Sequence, residues 1–166
     1  MLINRLLAIA PPGPRIEMGV FRGATLEVIA RHPGETIGVD SFAGMAEPTA
    51  RDKPGGENPY PKGRLAYAMA DVRRVVPGAR LICGYVPAVL ADVPDQLYAF
   101  ARLDMDHYEP TAAALDWLWP RMMAGGVLSC DDYFPDNHFL ASGAINEFSG
   151  NHPIVGHEGR EAWFIK

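Results

Sequence analysis

The stretch RIEMGVFRGATLEVIARHPGETIGVDSF, residues 15–42, decides the fold. Residues 15–20 form a short apolar run that passes through Gly19 and Gly23 into a helix-forming segment starting near Ala24. That helix stops at His32-Pro33-Gly34, because proline removes a backbone donor and glycine readily leaves the helical conformation. Residues 35–42 (ETIGVDSF) read as a second strand. Strand, crossover helix and strand in so short a span is the unit from which parallel sheets are wound.

The alternation continues along the chain. Leu65, Met69, Val72 and Val76 fall at i, i+4, i+7 and i+11, which predicts a helix from residue 64 that Pro77-Gly78 closes. A third strand is expected over 79–86, a short helical turn over 87–93 and a fourth strand over 97–103. The next helix starts near Pro110, holds Leu115, Leu118 and Met122 on its inner face, and is kinked by Pro120. A fifth strand runs from Gly126 or Val127 to Cys130. Ala141, Ile145 and Phe148 mark a helix over 137–148, and two short runs around Glu158-Gly159 read as an antiparallel hairpin. The expected architecture is a single α/β domain over 1–166, a seven-strand sheet with helices on both faces. Residues 1–14 form a short N-terminal segment, and residues 43–63 a mobile loop or lid.

Composition narrows the function. The 166 residues suit one domain with an ordinary core. The 17 Gly and 15 Pro exceed the roughly 7% and 5% usual for a globular chain, as expected of many short elements joined by demanding turns. The net charge of −5, with no basic run longer than Arg73-Arg74, argues against a nucleic-acid surface. The apolar run at residues 6–10 is too short for a signal peptide or a membrane span, so a cytoplasmic protein is expected. Cys83 and Cys130 lie in apolar stretches and read as buried free thiols.

In open α/β sheets, ligands bind beyond the carboxyl ends of the strands, near the point where strand order reverses. Four of the five expected crossover strands end in acids: Glu17 before Gly19 and Gly23, Asp40 before Ser41-Phe42, Asp104-Met105-Asp106-His107, and Asp131-Asp132. The first turn has Phe21 where a pyrophosphate-binding loop needs a third glycine. Asp40 suits a ribose diol, so a nucleoside without a pyrophosphate fits both. The plainer alternative is a tight turn with a capping Asp. Neighbouring fourth and fifth strands would lie about 4.8 Å apart, crowding Asp104, Asp106, Asp131 and Asp132. Such crowding is relieved by a bound cation, and oxygen ligands favour Mg²⁺, Mn²⁺ or Ca²⁺. Helix capping by some of these aspartates is the competing explanation.

Four segments, IEMGVFRGATL (16–26), VDSFAGMAEP (39–48), LDMDHYEPTAAALDWLWPRMMAGGV (103–127) and DDYF (131–134), resemble the macrocin O-methyltransferase (TylF-type) group of class I S-adenosylmethionine-dependent methyltransferases. The resemblance implies the Rossmann-like methyltransferase sheet, whose last strand is antiparallel. It implies that Glu17, Gly19 and Gly23 shape the pocket for the methionine part of S-adenosylmethionine and that Thr25 binds its carboxylate. Asp40 would take the ribose, with Ser41, Phe42, Gly84 and Tyr85 flanking the adenine. Asp104, Asp131 and Asp132 look like ligands of Mg²⁺ (or Mn²⁺), and Asp106 like a general base. The implied reaction is methyl transfer to a hydroxyl of a small-molecule acceptor, with a sugar of a glycosylated natural product as the family-based expectation.

Three departures stand out. His107 replaces the family's usual apolar residue and becomes a second candidate base, against the equally open reading of a structural histidine. Little chain precedes the first strand, so the acceptor pocket is expected to be open or completed by a second subunit in a homo-oligomer. The segment TARDKPGGENPYPKG (49–63) is unusually rich in Pro and Gly. Two rival functions share these features: a metal-dependent sugar-nucleotide transferase using the D-x-D of Asp104 and Asp106, and a non-catalytic binding module.

Overall fold

The computed structural model describes residues 2–57 and 59–166; Asn58, inside the expected lid, and Met1 lie outside the described residues. Seven strands form one sheet: β1 (Arg15–Met18), β2 (Thr36–Asp40), β3 (Arg80–Cys83), β4 (Tyr98–Leu103), β5 (Met122–Cys130), β6 (Gly156–Glu158) and β7 (Glu161–Ile165). Their spatial order is β3-β2-β1-β4-β5-β7-β6. The first five are parallel, whereas β7 pairs antiparallel with both β5 and β6. Five helices cover the sheet: α1 (Leu2–Ile9), α2 (Ala24–Ala30), α3 (Met69–Val75), α4 (Tyr108–Leu118) and α5 (Leu140–Ser149).

The alternating apolar positions decide which face each helix covers. Ile3, Leu6 and Leu7 of α1 pack with Ile29 of α2 on Phe100 and Val127. On the other face, Leu115 and Leu118 of α4 and Ala144 and Ile145 of α5 pack with Met18, Leu103 and Leu128. β4 is buried along its whole length, as a central parallel strand must be.

Several expectations need correction. The helix expected from residue 64 begins only at Met69. Gly63 and Leu65 have left-handed backbones, and Met45 exchanges backbone hydrogen bonds with Gly63 and Arg64, so the apolar spacing of Leu65 is a coincidence of a turn. β5 starts at Met122, not at Gly126 or Val127. The pair Gly125-Gly126 belongs to an irregularity inside the strand, where the register with β4 shifts between Tyr98 and Phe100, so Met122 is a buried strand residue rather than part of α4. Cys130 is buried, but Cys83 is exposed, because β3 is an edge strand with little cover. No helix among the described residues is long and apolar enough to cross a membrane.

Candidate active site

The strand order reverses between β1 and β4, and the turn after β1 is built around that junction. Gly19 has φ +91, and a Cβ there would sit 1.8 Å from the Asp104 carbonyl oxygen, so only glycine lets β1 and β4 end side by side. Gly23, φ +82, then opens α2. Four non-glycine residues at the neighbouring strand ends are also left-handed: Phe21, Phe42, Asp106 and Asp132. Each such backbone costs on the order of 1–3 kcal/mol, a concentration of strain typical of ligand sites.

A cavity of about 370 Å³ opens over these turns. Gly19 and Phe21 line it from β1, Asp40 and Ser41 from β2, Gly84 and Tyr85 from β3, and Asp104, Asp106 and His107 from β4. Asp131 and Arg160 close its far side. Asp40, Ser41, Gly84 and Tyr85 of the expected nucleoside set and Asp104, Asp106 and Asp131 of the expected acidic set thus face one space. Glu17, Gly23, Thr25, Phe42 and Asp132 are not among its lining residues. Phe42 packs instead on the cluster of Val20, Leu26, Val72 and Val76.

Asp40 does structural work as well. Its Oδ2 accepts from the amides of Val20 and Phe21 at 2.8 and 2.9 Å, and its Oδ1 from Phe42 at 2.7 Å. The carboxylate therefore ties the glycine turn to the end of β2 while Asp40 lines the cavity. Gly84 donates its amide to the Asp40 carbonyl, which brings the third strand end to the same place.

Beneath the cavity lies a residue that sequence reasoning missed. Arg102 is 6% exposed in the middle of β4, flanked in register by Glu17 of β1 and Ser129 of β5. All five of its N–H donors are used. Nη1 reaches Asp104 at 2.7 Å and Glu17 at 3.1 Å, Nη2 reaches Asp131 at 3.3 Å, and Nε and Nη2 grip Glu161 at 3.1 Å each. Burial pulls this guanidinium down, but Asp104, Glu17 and Glu161 outweigh it and hold it above its usual range. Arg160, in the β6–β7 turn, adds a second cation at 3.0 Å from Asp132 Oδ1. Part of the charge compensation that the crowded carboxylates demand is therefore built into the protein.

Compensation is incomplete. Asp104, Asp106 and Asp132 each present an oxygen within 4.8 Å of the others, the one acidic cluster of metal-holding geometry among the described residues. Burial, together with the charges of Asp106 and Asp131, pushes Asp132 up to about 7. Burial also raises Asp104 and Asp106, with Asp131 adding to the Asp104 shift and Asp104 to that of Asp106. Burial lifts Glu17 to about 8 against the opposing pull of Arg102, and its Oε2 has no partner. Asp131 differs from the sequence expectation in orientation: its Oδ2 faces Arg102 and Arg160, and its Oδ1 accepts the Asp132 amide.

His107 is buried, and its Nε2 lies 3.0 Å from the Tyr60 carbonyl, so Nε2 carries the proton and donates. The segment 43–63 is fastened at a second point. Buried Asp52 accepts the Tyr108 amide at 2.7 Å, capping α4, while it also accepts from Thr49. Arg51 lies 3.8 Å above the Tyr108 ring and pairs with Glu147 of α5.

The sequence profile of the macrocin O-methyltransferase (TylF) family matches residues 2–156. Among curated relatives, an 8-demethyl-8-(2,3-dimethoxy-alpha-L-rhamnosyl)-tetracenomycin-C 4'-O-methyltransferase of Streptomyces olivaceus is 30% identical over 92% of this chain. A demethyldecarbamoylnovobiocin O-methyltransferase of Streptomyces niveus is 29% identical over 74% of it. The chain spans 64% and 53% of those two relatives. Among solved structures, the O-methyltransferase NovP superposes with a TM-score of 0.84 at 21% identity, covering 99% of this chain and 78% of that one. The calicheamicin methyltransferase CalS11 gives 0.77 at 24%, covering 99% and 76%. These likenesses confirm the seven-strand methyltransferase sheet, and the profile settles the lineage: the chain belongs to the macrocin O-methyltransferase family.

Proposed function

We propose that this protein is an S-adenosylmethionine-dependent O-methyltransferase that methylates a hydroxyl on a sugar of a glycosylated small molecule, assisted by a divalent cation. The observation that carries the reading is the single cavity shared by the glycine turn after β1, the end of β2 and the acids ending β4 and β5. Gly19, Asp40, Ser41, Gly84 and Tyr85 would bind the donor. Relatives acting on a rhamnosyl-tetracenomycin and a novobiocin precursor support a sugar-bearing acceptor.

The donor set suits a hard cation, because it is all carboxylate and three of its members are pushed up by burial and by one another. Asp104 and Asp132 would hold the ion beside Asp106, and Asp131 would join them only by turning its Oδ2 away from Arg102 and Arg160. A bound Mg²⁺ or Mn²⁺ supplies positive charge beside the oxygen that loses its proton. Asp106 would accept that proton, and bound S-adenosylmethionine would supply the methyl group to the acceptor oxygen, the electron pair of the broken carbon–sulfur bond staying on sulfur. An alcohol is a weak nucleophile at neutral pH, so this proton transfer and the alignment of the two reactants carry the rate.

S-Adenosylhomocysteine tests the donor site. At about 100 times its dissociation constant it should add roughly 2.7 kcal/mol of stability, a rise of about 5–10 °C in Tm for a chain of this size. An unchanged Tm overturns the reading. Methyl transfer to TDP-rhamnose or methyl α-L-rhamnopyranoside then tests the acceptor class.

The cation has its own signature. Carboxylates whose pKa is raised by folding favour the protein in their protonated form, so their contribution is complete below about pH 4 and is lost as pH climbs. In a chelator, Tm should therefore fall between pH 5 and 8 as Asp132 ionises near 7. Millimolar Mg²⁺ should restore it, and more strongly at pH 8 than at pH 5. Equal Tm with Mg²⁺ and with chelator at pH 8 would remove the metal from the proposal.

A further inference from the structure

The turn that ends β4, residues 104–107, is held in place from outside itself. Asp106 has a left-handed backbone with φ +59, and the His107 amide folds back onto the Met105 carbonyl at 2.6 Å. A residue other than glycine keeps such a conformation only where its surroundings over-determine it. Three hydrogen bonds do so here. The Ala141 amide, in the first turn of α5, donates to the Asp106 carbonyl at 2.7 Å. His107 Nε2 donates to the Tyr60 carbonyl at 3.0 Å. The Tyr108 amide donates to Asp52 Oδ1 at 2.7 Å.

The first and last of these bonds act on the two peptide planes that flank His107. The Asp106 carbonyl belongs to the plane before it and the Tyr108 amide to the plane after it, so the path of the chain out of the turn is fixed on both sides. Asp52 is buried but is not among the residues lining the cavity, so its part is indirect. Its Oδ2 accepts from the amide and the hydroxyl of Thr49 at 2.9 Å each, which sets the direction in which Oδ1 points. We propose that Asp52 is a positioning residue for the reaction: through the Tyr108 amide it locks the turn that presents the Asp106 carboxylate to the acceptor hydroxyl. The inference rests on the methyltransferase reading above.

Asp52→Ala removes both oxygens. Assayed in the full chain with TDP-rhamnose and methyl α-L-rhamnopyranoside, it should lower kcat about 10- to 100-fold, the scale of a misplaced group beside the reacting atoms. KM for S-adenosylmethionine should stay within about twofold. Loss of the cap should lower Tm by about 2–4 °C, and the further rise in Tm with S-adenosylhomocysteine should be unchanged. Asp52→Asn keeps an uncharged oxygen for the Tyr108 amide, so its kcat should fall between those of Asp52→Ala and the wild type. Arg51→Gln is the control for a merely structural role. It frees the same segment from the Tyr108 ring and from Glu147 without touching the Asp52 carboxylate, and its kcat should stay within about twofold of wild type. A wild-type kcat in Asp52→Ala, or an equal loss in Arg51→Gln, overturns the inference and leaves the functional reading standing. Absence of stabilisation by S-adenosylhomocysteine in the wild type overturns the functional reading itself. A crystal structure of Asp52→Ala with S-adenosylhomocysteine reads the same point without an acceptor. Asp106 shifted out of its left-handed turn supports the inference, and an unmoved Asp106 overturns it.

Discussion

Gly19→Ala destabilises the protein by about 3 kcal/mol and abolishes binding of S-adenosylhomocysteine. A methyl group at this position would stand 1.8 Å from the Asp104 carbonyl oxygen, well inside any allowed contact, and the atom it meets is backbone of the central strand. Nothing flexible can yield. Relief requires β1 and β4 to splay, which breaks the hydrogen bonds from Gly19 to Val39 and from Asp104 to Met18 that close the two strand ends. Overpacking a tight site costs roughly 1–3 kcal/mol, and the left-handed φ of +91 adds about 1 kcal/mol or more for an alanine. At about 2–4 °C per kcal/mol for this size, Tm drops by about 10 °C. Chemical denaturation measures the first effect and calorimetric titration the second. An alanine variant that still binds with wild-type affinity would show that the β1–β4 junction is not the donor site.

The second large effect comes from Arg102→Met, which matches the shape of the stem and removes the guanidinium. Four carboxylates lose their shared counter-ion at once: Glu17, Asp104, Asp131 and Glu161. Removing one member of a buried ion pair usually costs about 3–5 kcal/mol, and that range is the expected loss at pH 8. The sign with pH follows from the acids left behind. Arg102 opposes the burial that raises Glu17, Asp104 and Glu161, so without it these three rise further, protonation relieves them and the deficit shrinks as pH falls toward 5. Arg102→Lys recovers only part of the loss, since an ammonium offers three donors where the guanidinium places five in a fixed fork. Urea denaturation at pH 5 and pH 8 checks both statements, and a deficit that grows toward pH 5 would contradict this account of the network.

Much of this architecture could be read from periodicity alone. The Gly19–Gly23 turn, the crossover helices and the closing hairpin were legible because proline, glycine, short apolar runs and helical spacing are local signals. The acids at the strand ends were legible for the same reason. Arg102 was not, although a usable signal existed: on a strand, residues two apart share a face, so Arg102 lies under Asp104 just as Ser129 lies under Asp131. Reading the carboxylates without that face leaves an excess of negative charge, for which a cation or helix capping is the expected remedy. Arg160 and Tyr60 were out of reach, because each arrives at the cavity by long-range packing: Tyr133 donates its amide to the Arg160 carbonyl, and His107 donates to Tyr60. The false start of α3 at residue 64 has the opposite cause, a helical spacing of Leu65 overridden by the backbone pairing of Gly63 and Arg64 with Met45.

Asp52 carries a consequence for how the domain holds itself together. The acceptor for the first amide of α4 comes from a residue 56 positions earlier in the chain. A helix usually finds its N-terminal partner in the residue just before it, but here His107 makes no such bond, and the end of α4 is completed only when the intervening chain has folded back. The segment carrying Asp52 and the first turn of α4 are therefore tied into one cooperative unit. Replacing Asp52 with Asn is expected to loosen residues 49–52 and the first turn of α4 together.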